Sequence, residues 1–339
     1  MARHPIKGWE TPLSSDLSIV HDQGVHLEGT ILWFDPVKLR DFGLVSSARA
    51  HLGDRQQKVL MSDRTGRLLA LRHKRKARGL VCPFYRPFSL GNLTIELFPS
   101  GYMAGASSFQ VTLPDDEVLV YAGPFSRVRN RTAERYEVRN CDTLILDANY
   151  GHEVFKFPKR DVVERQVAEW AKSVLEAGST PVFLVASPGK AQDLSNVLAA
   201  ASLPLRVHRM IYAYNKAYRG VGLDIPLSKQ FRGHPAHGEV LIWPSHLRKS
   251  PAIRNLRKAR FAAMTGAAFV PGIERRLKVN KVFPWSARAG YDDLLAYVKE
   301  AKPGHIITTG RHAETFAETL RAKRFSARAL VQTSQLELI

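Results

Sequence analysis

Two cysteines among 339 residues, Cys82 and Cys141, exclude both a disulfide-stapled scaffold and a CxxC metal or redox pair. Long apolar runs are missing too: nothing approaches the ~18 consecutive apolar residues that a membrane-spanning helix needs. The opening stretch MARHPIKGWETPLSS lacks the apolar core of a secretory leader. These absences set the expectation of a reduced, cytoplasmic protein with no membrane association. Acidic residues are scarce as well. Against 31 Asp and Glu stand 50 Lys and Arg, a formal charge of +19. A fold gains nothing from such an excess, because self-repulsion opposes compaction, so the charge is read as serving a polyanionic partner. A generically basic surface is the alternative.

What is present suits a globular chain. Hydrophobic content of 45% is ordinary, and the length holds one large domain or two of usual size. Up to about residue 155 the pattern predicts short strands: Val25–Phe34, Gly43–Ser46, Leu93–Leu97, Ser108–Leu113, Glu117–Ala122 and Thr143–Leu146. The texture then changes. Asp161–Ala177 has helical spacing with Gly178 as its stop, Pro181–Ala186 reads as a buried strand, Ala191–Ala200 as a helix and Gly238–Trp243 as a strand. Lys281–Trp285 and His305–Thr309 read as strands alternating with helices at Tyr291–Lys299 and Ala313–Arg321. Alternation of this kind predicts an α/β fold with a parallel sheet.

Basic runs recur along the chain: RHKRKAR (72–78), RVRNR (127–131), LRKSPAIRNLRKAR (247–260) and RRLKVNK (275–281). Within them Lys74, Arg75, Lys76, Arg257 and Lys258, together with Lys190, are the candidate phosphate contacts, salt-sensitive and blind to base sequence. Tyr212, Tyr214 and Tyr218 have a spacing compatible with base stacking and equally with core packing. The SPGK stretch ending at Lys190 lacks the upstream Gly and the following Ser or Thr of a phosphate-binding P-loop. His234 and His237 (HPAH) have a metal-like spacing, but they sit in a Pro-containing basic loop and do not by themselves gather the three or four convergent ligands a site needs.

Seven phrases in order, ILWFDPV (31–37), PSGYMAGASSFQV (99–111), VYAGPFS (120–126), LILDANYG (144–151), VASPGKAQ (185–192), FPWSARAGYDDLL (283–295) and HIITTGRHAE (305–314), resemble the metallo-β-lactamase/β-CASP nucleases, most closely the bacterial ligase-associated DNA exonuclease and mRNA 3′-end processing factor-like group. The resemblance implies a four-layer αββα domain built from residues 1–155 and 281–339, with a β-CASP-like α/β domain inserted at 156–280 and nucleic acid in the cleft between them. It also implies two zinc ions that activate a water against a phosphodiester. Here the ligand positions carry other residues. Counting 12 residues from Asp35, where the family places its first ligand, reaches Ser47, and the rest of that cluster falls on Arg49, His51 and Leu52. The remaining ligand positions fall on Tyr102, Pro124 and Thr309, and the family's catalytic histidine on Arg288.

Leucine and proline carry no donor, and arginine is a fixed cation that repels a metal. No zinc or other cofactor is therefore expected. Asp35 and Asp147 persist, read as a turn residue and a strand-end residue of the scaffold. A one-residue register slip leaves a second possibility, a site relocated to His51, Asp54, Asp147 and His152. Arg49 and Arg288 admit two readings: phosphate contacts in a cleft that no longer cuts, or salt bridges to Asp35 or Asp147. The expected function is thus a catalytically inactive relative that binds DNA or RNA backbone, beside an active β-CASP nuclease or a ligase or helicase partner. An active nuclease with relocated ligands and a protein-interaction subunit remain the alternatives.

Overall fold

A computed structural model describes residues 18–52, 56, 58–72 and 79–330. Asp54, Lys74, Arg75 and Lys76, named above as candidates, lie outside them. Six short strands open the chain: β1 (Ile19–His21), β2 (Val25–Leu27), β3 (Leu32–Phe34), β4 (Phe42–Leu44), β5 (Val59–Met61) and β6 (Leu80–Val81), side by side in that order, with α1 (Asp63–Arg72) between the last two. The stretch Val25–Phe34, expected as one strand, is two. Gly29 takes a left-handed φ of +76°, Thr30 Oγ1 donates to Leu27 O at 2.7 Å, and the reversed chain pairs β2 with β3 antiparallel.

β7 (Phe88–Leu90), β8 (Leu93–Pro99), β9 (Ser107–Thr112), β10 (Val118–Ala122) and β11 (Thr143–Asp147) begin a second sheet. The chain then builds α2 (Arg160–Glu176), β12 (Thr180–Val185), α3 (Lys190–Ala200), β13 (Leu205–Val207), α4 (Arg209–Gly220), β14 (Lys229–Gln230), β15 (Val240–Pro244), α5 (Pro251–Arg254), β16 (Ala259–Thr265), α6 (Ile273–Leu277) and β17 (Lys281–Pro284). It closes with α7 (Tyr291–Ala301), β18 (His305–Thr309), α8 (Ala313–Ala322) and β19 (Ala327–Ala329). The second sheet has the order β19-β18-β11-β10-β9-β8-β7, so the last strands of the chain complete a sheet begun near residue 88. The third, β14-β13-β15-β12-β16-β17, is parallel throughout, as alternating strand and helix signals predict. Lys281–Pro284, expected with the returning segment after residue 280, pairs instead with β16 as an edge strand of this third sheet.

Alternation along the strands decides the packing. Leu27, Phe34 and Leu44 from the first sheet and Ile95, Phe109 and Ile145 from the second share one core. Leu144 and Leu146, one residue out of phase with Ile145, face the other way, against Leu294 and Val298 of α7 and Phe316 and Leu320 of α8. Phe183 and Val185 pack on α2 and α3, while Val182 and Leu184 lie with Leu241, Trp243 and Ile253. Tyr214 and Tyr218 of α4 are core residues, packed with Leu68 and Leu69 of α1 and with Tyr102, and Tyr212 is partly buried against the third sheet's core. None of the three is a free stacking platform. Among the described residues no helix is long and apolar enough to cross a membrane.

Candidate functional site

Parallel strands put their C-terminal ends on one edge, where the loops that follow them gather and where open α/β sheets hold ligands. Asp147 and Thr309 are register partners at the ends of β11 and β18. Asp35 follows β3, and Ser46 and Ser47 follow the parallel neighbour β4. Arg49 sits in a turn closed by Ala50 N–H donating to Ser47 O at 3.0 Å, and Arg72 of α1 holds the same turn through Ala50 O at 3.1 Å.

These loops enclose a cavity of about 410 Å³. Of the positions singled out by the resemblance, all but Leu52 line it: Ser47, Arg49, His51, Tyr102, Pro124, Arg288 and Thr309, together with Asp35 and Asp147. Leu52 turns instead onto the core beneath α1. A second cavity of about 310 Å³ shares Arg49, Tyr102, Asn149 and Arg288 with the first and extends to Lys190, Tyr150, Ser286 and Arg311. Its floor is the C-terminal edge of the third sheet. Candidate residues separated by up to 274 positions, Asp35 and Thr309 at the extremes, thus meet in one place.

The two carboxylates of this cavity, Asp35 and Asp147, are already occupied. Asp35, at a left-handed φ of +46°, accepts from Ser46 N at 2.8 Å, Ser46 Oγ at 2.6 Å and Tyr121 OH at 3.1 Å. Burial raises its pKa above the ordinary aspartate value despite those donors, and burial beside Asp35 also pushes Tyr121 well up. Tyr121 carries no sequence signal beyond its place near the end of a strand. Asp147 accepts from Asn149 N at 3.1 Å and from the Asn149 amide on one oxygen, and its other oxygen meets Arg288 Nη1 at 3.0 Å. Burial disfavours the Arg288 charge, but Asp147 and the neighbouring Tyr102 outweigh it and hold the guanidinium above the ordinary arginine value. Tyr102 also offers its ring to that guanidinium at 5.8 Å.

This donor set does not fit a pair of zinc ions. Three or four convergent nitrogen, sulfur or oxygen ligands are needed per ion. Here Arg288 occupies the free oxygen of Asp147, Thr309 Oγ1 donates to Leu146 O at 3.3 Å, and Pro124 has nothing to offer. Among the described residues no three His, Cys, Asp or Glu side chains gather to hold an ion. Of the relocated set, Asp54 lies outside the described residues, and His152 lies against His312, ring centroids 5.9 Å apart, and does not line the cavity of His51 and Asp147. His234 and His237 are exposed in their loop.

The ion pair of Arg288 supports the salt-bridge reading for that residue, whereas Arg49 has no carboxylate within ion-pair reach among the described residues. Arg288→Ala is expected to lower stability by about 1–3 kcal/mol, less than the ~3–5 kcal/mol of a fully buried pair because the guanidinium is 33% exposed. Removing the stranded carboxylate as well, in Arg288→Ala/Asp147→Asn, should recover part of the loss in urea denaturation. Arg257 and Lys258, by contrast, sit before β16, at the N-terminal edge of the third sheet, and both are exposed there. They lie a strand length from the cleft and are no part of it.

No family model matches the chain. It is 28% identical over 316 residues to a probable DNA ligase of Opitutus terrae, an alignment covering 93% of this chain and 31% of the ligase. It is 23% identical over 236 residues to the probable RNase MJ4 of Methanocaldococcus jannaschii, covering 67% of this chain and 52% of that protein. A transcription termination factor, FttA of Lokiarchaeum sp., is 28% identical over 122 residues, 33% of this chain and 19% of that protein. By name, its relatives process nucleic acids. The chain spans about a third of the ligase and about half of the ribonuclease, and the name of the second agrees with the nuclease resemblance drawn from the motifs.

Proposed function

We propose that this chain is a metallo-β-lactamase/β-CASP-like protein that holds DNA or RNA backbone in its cleft without hydrolysing it. In this reading the two chain ends form a four-layer αββα domain, and the segment from 156 forms the β-CASP-like insert, extended past 280 to include β17. The observation that carries the proposal is the composition of the cavity wall. The positions that the family resemblance assigns to its site gather on one cavity wall, where Arg49, with no ion-pair partner among the described residues, supplies fixed positive charge beside Arg288, which is paired with Asp147. A guanidinium binds phosphate oxygens through paired N–H donors and delivers no attacking water. The overall charge of +19 favours the same polyanionic partner. Likeness of nearly the whole chain to one region of a DNA ligase supports work beside strand joining, with a ligase, a helicase or an active nuclease as partner.

The test measures metal content and nucleic-acid binding on one purified sample. Binding to single- and double-stranded DNA and to RNA is expected at low salt, with an affinity that falls steeply as salt rises, and zinc is expected to be absent. Zinc near two equivalents with chelator-sensitive cleavage would replace this reading by an active nuclease with relocated ligands. Failure to bind any of these strands at low salt would favour a protein-interaction subunit.

A further inference from the structure

Lys190 opens α3 at the C-terminal edge of the third sheet and lines the smaller cavity with Arg49, Arg288 and Arg311. Its Nζ donates to Met264 O at 3.2 Å and to Trp285 O at 3.3 Å, the chain just inside the end of β16 and just past the end of β17. Among the described residues no carboxylate reaches it, and Asp193 on the same helix is paired with Arg160. The two backbone carbonyls engage two N–H groups of Lys190 in either protonation state, so an amine that has lost its third proton keeps both bonds and has its lone pair uncommitted on the cavity wall.

The surroundings of Lys190 favour that loss: burial first, and then repulsion from Arg49 in the loop after β4, Arg160 of α2 and Arg288 in the loop after β17, bring its pKa down to about 7. A lysine neutral near physiological pH, on the wall of a cavity, is a nucleophile toward carbonyl carbon. An intact phosphodiester backbone offers it no aldehyde. A sugar that has lost its base does: the ring-opened form exposes an aldehyde at C1′, with phosphates on either side for the arginines.

We propose that Lys190 captures the C1′ aldehyde of a base-free sugar as an imine, an inference that rests on the cleft holding a nucleic-acid strand. The Nζ lone pair bonds to C1′, and the carbinolamine loses its hydroxyl as water. The imine acidifies C2′. Its proton passes to water, the C–H pair forms the C2′=C3′ bond, and the C3′–O bond breaks with its electrons on the departing phosphate. Addition of water to the imine then frees Lys190. No oxidant or reductant takes part.

The experiment mixes the full-length protein with an oligonucleotide bearing one abasic site, adds sodium borohydride to reduce the imine to a stable amine, and maps the adduct by peptide mass spectrometry. Anisotropy on an intact oligonucleotide of the same sequence runs in parallel. The expected result is an adduct on the peptide containing Lys190, formed faster as pH rises through about 7 and lost in Lys190→Arg, which keeps the cation but offers no comparable lone pair. Binding without an adduct, an adduct mapping to another amine, or undiminished trapping in Lys190→Arg overturns the inference and leaves the proposed function standing. Failure to bind even the intact strand overturns the proposed function, and the inference with it.

Discussion

Arg49→Ala is expected to weaken binding of single-stranded DNA or RNA by roughly 10- to 100-fold at low salt, from the ~1.5–3 kcal/mol of hydrogen bonds to a charged partner. Arg49 lines both cavities, and among the described residues it has no ion-pair partner. Its removal therefore strands no buried carboxylate, unlike that of Arg288, and the fold should keep its stability. Losing one phosphate contact should also reduce the slope of log affinity against log salt by about one. Arg49→Lys should recover only part of the affinity, because an ammonium lacks the planar fork that meets two phosphate oxygens. Anisotropy titrations at several salt concentrations check all of this. Unchanged affinity in Arg49→Ala would move binding out of the cleft, for instance to the exposed Arg257 and Lys258 end of the third sheet.

Gly105→Ala is expected to cost about 2–5 kcal/mol, combining the penalty of a left-handed non-glycine residue with that of overpacking. Gly105 has φ +73°, and a Cβ there would stand 2.5 Å from Arg64 Cβ and 2.6 Å from Thr65 N. The neighbours cannot move aside cheaply. Gly105 O accepts from Ser62 Oγ at 2.5 Å and Thr65 Oγ1 at 2.8 Å, and Gly105 N donates to Glu134 at 2.9 Å, tying the turn to the start of α1. The same turn carries Tyr102 and Met103 on the cavity wall, so nucleic-acid binding should fall with stability. Gly178→Ala is the matched control: φ is +66°, but nothing lies within 4 Å of the added Cβ. Its expected cost is only the ~1–2 kcal/mol of conformation. Guanidinium denaturation of both variants separates the two contributions, and equal midpoints would refute the steric part.

Local pattern carried much of the architecture. The helix over Arg160–Glu176, expected over Asp161–Ala177, and the buried strand Thr180–Val185 follow from apolar spacing and from Gly178, which caps the helix with Ser179 N donating to Val174 O at 3.0 Å. The helices α1 and α4 were not legible in the same way. α4 shows tyrosines on a basic background, and only its contact with α1 makes those tyrosines core. Likewise β17 reads equally well as part of either segment, since strand identity is local but sheet membership depends on the partner.

The contents of the candidate site divide along the same line. Sequence alone supplied Ser47, Arg49, His51, Leu52, Tyr102, Pro124, Arg288 and Thr309 at the positions that the family resemblance singles out, and a large positive charge. Only the tertiary structure decided which of these meet, that Leu52 leaves the cavity, and that Arg288 spends its charge on Asp147 while Arg49 keeps its own. It also supplied Tyr121 to Asp35 across 86 positions and surrounded Lys190 with three arginines. The physical reason is range. Turn chemistry and periodicity act over a few residues, whereas the pairing and desolvation of charges depend on sheet register between segments far apart in the chain.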